Sequence, residues 1–165
     1  MAVQNLGNET TTIVSEGAEL IIERVFDAPR DLVWRTLTDP KHIERWWGRT
    51  GSTTTVVEMD VRPGGTWRFI NHAPGSQDYP FKGEYLEVVP PERVVQTFIF
   101  DVEGFNDQGA VETMTLEDLG DRTKMTVRSR YPSEEVLNGA LSTGMSEGVV
   151  ETYDRFAQLL AELGA

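Results

Sequence analysis

Large apolar side chains that could line a pocket for a small molecule recur along this 165-residue chain. Ligand pockets are mostly apolar and aromatic, with a few polar groups that orient the ligand. If the strands that carry these side chains turn one face inward, the side chains form an aromatic and thioether lining. The alternative is an ordinary core between a sheet and a helix. The set is Trp67, Phe69, Phe98, Phe100, Met114 and Met145. Glycines in the helical segment that would cover the set favour a partly hollow interior.

Four further residues could shape an entrance or orient a ligand. Trp46 and Trp47 are adjacent, and an indole combines apolar area with one N–H donor, so the pair could line a pocket mouth. Alternatively, at least one of them fills the core. Tyr85 and Tyr131 share strand faces with apolar residues, where a buried hydroxyl needs a hydrogen-bond partner. That partner is either a ligand carbonyl or nearby backbone.

The titratable residues give a weak signal for catalysis. His72 could act as a general base, because imidazole has an ordinary pKa of about 6.5. The alternative is a histidine at the surface or at a strand end. The chain has no cysteine and two histidines, and it shows no phosphate-binding, dinucleotide-binding or nucleophile-elbow motif. We therefore predict no catalytic residue, no metal site and no cofactor.

The elements that position these side chains follow from the hydrophobic periodicity. Residues 19–26 are dense in β-branched and apolar residues and predict a strand, which ends before Pro29. Apolar residues then recur every three or four positions, which predicts two short helices. Their corner is expected at Asp39, because a residue before proline is pushed out of the α region. The second helix ends near Trp46-Trp47-Gly48.

The rest of the chain predicts a sheet and a cover for it. Residues 52–131 predict six strands of an antiparallel meander with one dry face. A long helix from Ser133 to Leu163 covers that face, with Ser133 as its N-cap. Residues 1–17 are polar and lack a sustained period, which predicts a flexible N-terminal tail or an edge extension. Residues 18–165 are predicted to form a single domain, because about 150 residues are enough to bury a hydrophobic core.

The charge balance excludes several classes of partner. Lysine and arginine number 15 against 27 acids, which gives a net charge of -12. Nucleic acids and anionic membranes attract basic surfaces, so we expect neither as a partner. No apolar run approaches the roughly 20 residues of a membrane span, and the first residues lack the pattern of a signal peptide. We expect a cytoplasmic protein, a monomer or a homodimer, with a hydrophobic small molecule as its partner.

Short motifs between residues 19 and 163 resemble those of a known group of proteins. The motifs include Arg24-x-Phe26-x-Ala28-Pro29, Trp46-Trp47-Gly48, Asp60-x-x-Pro63-Gly64-Gly65, Gly83-x-Tyr85-x-Glu87, Pro91-Glu92-Arg93 and Thr143-Gly144-Met145-x-x-Gly148. In this order and spacing the chain resembles the START-like superfamily, also called helix-grip or SRPBCC. Within it, the chain is similar to bacterial homologues of the activator of heat-shock protein 90 ATPase.

The resemblance implies an α+β helix-grip fold. In this fold a curved antiparallel β-sheet wraps around a long C-terminal α-helix, and two short helices follow the first strand. It also implies an apolar cavity between sheet and helix that opens near the short helices. Many relatives carry tryptophan after the glycine that matches Gly148, whereas Val149 stands here and would enlarge the cavity. The predicted lining is Trp46, Trp47, Trp67, Phe69, Tyr85, Phe98, Phe100, Met114, Tyr131, Met145 and Val149.

The leading functional prediction is a binding protein for a small apolar or aromatic ligand, without catalysis. Burying about ten carbons at roughly 0.8 kcal/mol each contributes about 8 kcal/mol, and the cost of association consumes much of it. Apolar burial alone therefore predicts micromolar or weaker affinity. One alternative is an enzyme similar to the cyclases and aromatases of the superfamily, which would use polar groups converging in the cavity, such as Tyr85 and Tyr131, with His72 as an optional third. A further alternative, suggested by the family name, is activation of a chaperone ATPase.

Overall fold

The computed structural model describes residues 3–164, which form one curved, open antiparallel sheet with helices against its inner face. Nine strands of this part of the chain lie in the order β1-β2-β3-β9-β8-β7-β6-β5-β4. Register shifts between Val56 and Glu58 and between Tyr85 and Glu87 interrupt the ladders, as bulges that bend a sheet do. The strands are β1 Val3–Asn5, β2 Thr12–Glu16, β3 Glu19–Phe26, β4 Thr53–Met59, β5 Thr66–His72, β6 Asp78–Val89, β7 Arg93–Phe100, β8 Ala110–Asp118 and β9 Thr123–Arg130.

Two short helices follow β3, as the periodicity predicts. They are α1, Arg30–Thr38, and α2, Pro40–Trp46. Asp39 between them is extended, with φ of -97° and ψ of 122°, and its carboxylate accepts a hydrogen bond of 2.9 Å from the backbone N–H of Lys41. The predicted corner at Asp39 is confirmed.

The N-terminal residues add strands to the sheet edge. Of the two alternatives for residues 1–17, those that the structure describes adopt the edge extension: β2 pairs with β3, and β1 pairs with β2. Ile13 and Ser15 of β2 are buried. The short helices therefore follow the third strand instead of the first. Residues 1 and 2 of the predicted tail lie outside the described residues.

The C-terminal segment forms two helices where the periodicity predicts one. Helix α3, Glu134–Leu141, begins at Ser133, whose hydroxyl accepts a hydrogen bond from the N–H of Val136. Helix α4, Met145–Gly164, is the long helix of the helix-grip fold. Between them Gly144 has a φ of +85°, a left-handed conformation that favours glycine because it has no Cβ. The break explains why a glycine stands there.

Aromatic packing joins the C-terminal half of α4 to the sheet and to α2. The Phe156 ring meets those of Phe26 and Trp46 edge to face, with centroids 4.8 and 4.7 Å apart. The Trp46 indole N–H donates to the carbonyl oxygen of Thr36 at 3.0 Å. The polar atom of the Trp46 side chain thus has a partner, and the indole is buried in the core. None of the helices in residues 3–164 has the length and apolarity that crossing a lipid bilayer requires.

Candidate functional site

The inner face of β5, β6 and β7 carries aromatic rings that surround Trp47. Trp47 meets Phe69 and Phe81 edge to face, with centroids 5.3 and 5.1 Å apart, and lies 6.4 Å from Phe98. Trp67 contacts Phe69 and Phe98 at 4.7 and 5.7 Å. We call these five residues the aromatic cluster. Trp67 and Phe69 are buried, whereas the other three are half-buried.

Gly83 makes room for the indole of Trp67. The two residues are partners across β5 and β6. A Cβ at position 83 would lie 1.9 Å from the carbonyl oxygen of Thr97 and 2.4 Å from Nε1 of Trp67. That Nε1 is buried and has no hydrogen-bond acceptor among the described residues. A buried donor without a partner is uncommon and costly, which marks this end of the cluster as polar but unsatisfied.

Glu112 places a carboxyl group on the inner face of β8. Its neighbours across the ladders are Gln96 and Ser129. The Gln96 amide donates to Oε1 and the Ser129 hydroxyl to Oε2, each at 3.2 Å. Burial raises the pKa of Glu112, and the two hydrogen bonds oppose that shift. Within residues 3–164 no basic side chain forms an ion pair with this carboxyl.

Two tyrosines lie near the Glu112 carboxyl. Tyr131 follows β9, and its hydroxyl donates to Sδ of Met145 at 3.5 Å. Tyr153 projects from α4. Burial, and then the negative charge of Glu112, raise the pKa of both phenols above the ordinary value, so both remain neutral donors. We call Gln96, Glu112, Ser129, Tyr131 and Tyr153 the interior polar cluster.

Arg155 of α4 fixes the backbone on both sides of Trp47. Its guanidinium donates three hydrogen bonds of 3.0 Å, to the carbonyl oxygens of Arg45, Gly48 and Arg49. These carbonyls belong to the end of α2 and the loop after it, where intrahelical donors are lacking. Trp47 is therefore held in the aromatic cluster by α4 as well as by α2.

Arg49, in the loop after α2, makes a contact in the opposite direction, to α4. Its Nε and Nη2 donate to Oε2 of Glu151 at 3.3 and 3.1 Å. Its aliphatic carbons lie 3.5 Å from the Cβ position of Gly148, which is an ordinary contact distance. Arg49 thus packs against α4 at Gly148, at the edge between this helix and the loop after α2.

The predicted lining residues occupy three kinds of position. Trp47, Trp67, Phe69 and Phe98 come together in the aromatic cluster. Half-buried positions that pack on the core are taken by Met114, Tyr131, Met145 and Val149. Of the others, Trp46 is core, Phe100 contacts Phe81 of the aromatic cluster at the end of β7, and buried Tyr85 lies opposite Gln96 of the interior polar cluster.

Of the three polar residues of the predicted cyclase-like site, Tyr85 and Tyr131 share the inner face of the sheet and His72 does not. His72 alternates with buried Asn71 and so lies on the outer face of β5, with Nδ1 2.8 Å from Asp78 and Nε2 2.9 Å from Thr55. Burial and then Asp60 raise the pKa of Tyr85, whereas Glu112 is the acid that affects Tyr131. The alternative that places His72 with the two tyrosines is wrong, because period 2 puts it on the other side of the sheet. The prediction of a strand-end histidine is confirmed, since β5 ends at His72.

Sequence reasoning missed Phe81, Gln96, Glu112, Tyr153 and Arg155. Glu112 precedes Met114 by two positions, so strand alternation gives both the same face. Tyr153 follows Val149 by four positions on α4, which is the spacing of one helical face. An acid or a tyrosine at such an inward-facing position was a usable signal for a polar group in the interior. The three carbonyl partners of Arg155, by contrast, had no signature in the sequence.

The chain matches a described protein family over most of its length. The model of the family described as "Activator of Hsp90 ATPase homolog 1-like protein" matches residues 27–161. Among curated proteins no significant match exists.

Solved structures share the fold across nearly the whole chain. A solution structure of an Arthrobacter aurescens protein is 27% identical, with a TM-score of 0.82, over 88% of this chain and 87% of that one. Protein Ms6760 from Mycobacterium smegmatis is 27% identical over 97% and 96% of the two chains, with a TM-score of 0.79. Protein CV1439 from Chromobacterium violaceum is 26% identical over 87% and 96%, with a TM-score of 0.73.

Proposed function

The chain belongs to the family of Activator of Hsp90 ATPase homolog 1-like proteins, and we propose that it binds a small apolar or aromatic molecule between the sheet and α4. The proposed contacts are the aromatic cluster, the interior polar cluster, and Met114, Met145 and Val149. No catalytic step is part of the proposal.

The observation that carries the proposal is incomplete burial on the inner face. Glu112, Tyr131 and Tyr153 face the interior between the sheet and α4, yet each is only half-buried. Protein interiors normally pack at the density of organic crystals, which leaves core side chains no accessible surface. Groups that are enclosed and still accessible favour a space beside them that a ligand could fill.

The aromatic cluster supports the same conclusion from the apolar side. Trp47, Phe81 and Phe98 contact one another yet stay half-buried. An aromatic side chain contributes 150–250 Å² of area, about 25 cal/mol per Å² when it is covered. A ligand that covers the part of these rings that is still exposed gains that fraction of the apolar contribution, which fits a small aromatic guest.

Val149 offers a direct test of the location. It lies on the face of α4 that carries Tyr153 and buried Phe156, at helical spacing. We expect Val149→Trp to fill the proposed space and to weaken binding of a naphthalene ligand at least about tenfold, or about 1.4 kcal/mol. Titration calorimetry measures the affinity, and thermal unfolding checks that the variant is folded. The control is Gln158→Trp at an exposed position of the same helix.

Three results decide the proposal. Loss of binding in folded Val149→Trp, with unchanged binding in Gln158→Trp, supports the site between sheet and α4. Equal affinity in both variants places any binding elsewhere, and absence of binding in the parent protein across a panel of apolar and aromatic ligands ends the proposal. Activation of a chaperone ATPase stays a prediction. Unchanged ATPase turnover on mixing this protein with the host chaperone would dispose of it.

A further inference from the structure

Resting on the proposed function, we propose that the ligand is an apolar or aromatic amine, whose protonated nitrogen binds the interior polar cluster at Glu112. The proposed function assigns the apolar body of the ligand to the aromatic cluster, and this inference assigns its polar end to Glu112.

The first argument is charge. Glu112 has two hydrogen-bond partners, the neutral side chains of Gln96 and Ser129. A carboxylate has about four acceptor sites, so two are free for a ligand. An ammonium group supplies both the missing positive charge and the missing donors, and such charge-assisted hydrogen bonds are the strong ones. A ligand carboxylate would instead place a second negative charge beside the first.

The second argument is that the protein's own cations are engaged elsewhere. Arg24, the basic residue on the inner face of β3, donates to Asp154 at 2.7 Å and to Thr11 at 3.2 Å. Arg155 donates to three backbone carbonyls. Neither can neutralise Glu112 without giving up these bonds, so a cation from outside is the partner that fits.

The third argument is the surroundings of the carboxyl. Phe98 stands two positions from Gln96 on the same strand face, and Phe98 and Glu112 are diagonal neighbours across β7 and β8. Such neighbours lie about 7–8 Å apart, within reach of a small ligand. Aromatic faces attract organic cations by about 0.5–2 kcal/mol. The oxygens of Tyr131 and Tyr153 can accept further N–H bonds.

The test uses one naphthalene skeleton with four end groups. The probes are 2-(1-naphthyl)ethylamine, 2-(1-naphthyl)ethanol, 1-naphthylacetic acid and 1-ethylnaphthalene, each titrated calorimetrically into the full chain. Ammonium desolvation offsets part of the ion-pair gain, so we expect the amine to bind about tenfold tighter than the alcohol or the hydrocarbon. We expect the acid to bind weakest.

Glu112→Gln tests which residue causes the preference. Glutamine keeps the shape and the hydrogen-bonding capacity but removes the charge, so the variant should bind the amine and the alcohol equally. Glu117→Gln is the matched control, because Glu117 is exposed on the same strand and its side chain lies on the outer face of the sheet. It should keep the full preference.

The outcomes separate this inference from the proposed function. If the hydrocarbon and the alcohol bind as tightly as the amine, ligand binding stands and the amine assignment is overturned. If the amine is preferred but Glu112→Gln keeps the preference, Glu112 is not its partner and the inference also fails. If none of the four probes binds, the proposed function fails for ligands of this size and the inference falls with it.

Discussion

Replacing Arg155 with glutamine should loosen the loop that carries Trp47 and destabilise the protein. The change removes three hydrogen bonds of 3.0 Å from a charged donor to backbone carbonyls. A hydrogen bond to a charged group contributes about 1.5–3 kcal/mol when one partner is lost from a buried site. Arg155 is only half-buried, so water replaces part of the loss, and we expect a total of about 2–3 kcal/mol.

Urea unfolding followed by circular dichroism measures the difference in the free energy of unfolding, and thermal unfolding measures the change in Tm. For a chain of this length about 2–4 °C of Tm corresponds to 1 kcal/mol, so Tm should fall by about 4–12 °C. The control is Arg45→Gln, which keeps the Arg45 carbonyl but removes an ion pair with Glu162. Both side chains of that pair are about half exposed, at 53% and 54%, and such pairs contribute about 0–1 kcal/mol. Equal effects of the two variants would refute the reasoning that the carbonyl contacts hold the loop.

Three further predictions concern glycines and the buried acid. Gly139→Ala should stabilise the protein by about 1 kcal/mol, because nothing lies within 4 Å of its Cβ position. Gly144→Ala should destabilise it by about 1–2 kcal/mol, because the backbone there is left-handed. Urea unfolding of both variants tests this contrast. Gly83→Ala should cost about 2–3 kcal/mol and shift the near-ultraviolet circular dichroism, since the new Cβ collides with Trp67; an unchanged spectrum contradicts it. The stability of Glu112→Gln relative to the parent should increase as pH rises from about 4.5, the ordinary carboxyl pKa, toward neutrality. The reason is that a pKa raised in the folded state makes the parent lose stability with rising pH. Unfolding at acid and neutral pH measures the difference in stability, and a difference that does not change with pH contradicts the prediction.

Local patterns sufficed to predict the elements wherever a strong signal bounded them. Strand β3 matches the predicted range 19–26, because a run of β-branched residues is ended by a proline turn. The corner at Asp39 follows from the proline after it. The edge strands β1 and β2 are short and lie in a polar stretch, so the three β-branched residues at the start of β2 form too brief a run to exclude a tail. Pairing with the rest of the sheet decides their conformation.

The apolar half of the candidate site was predictable and the polar half was not. Trp67, Phe69 and Phe98 share a face by simple alternation, and the register of the strands brings them together. Selecting residues by apolarity, however, passes over an acid on the same face. Only pairing with Gln96 and Ser129 shows that Glu112 has neutral partners, and pairing between strands is a tertiary fact.

The acidity of the chain also changes meaning once the contacts are known. On α4, Glu151, Asp154 and Glu162 each pair with an arginine from another element, so these acids attach the helix to the rest of the fold. Two of the three pairs are largely exposed and contribute little free energy, so they orient α4 more than they stabilise it. Glu112 is different, because it is enclosed and has no cation. Outer acids that already have arginine partners gain little from a ligand cation, whereas an enclosed acid without one gains most. Under the proposed function, the charge among the described residues that would select the ligand is therefore this single carboxyl, and not the net charge of -12.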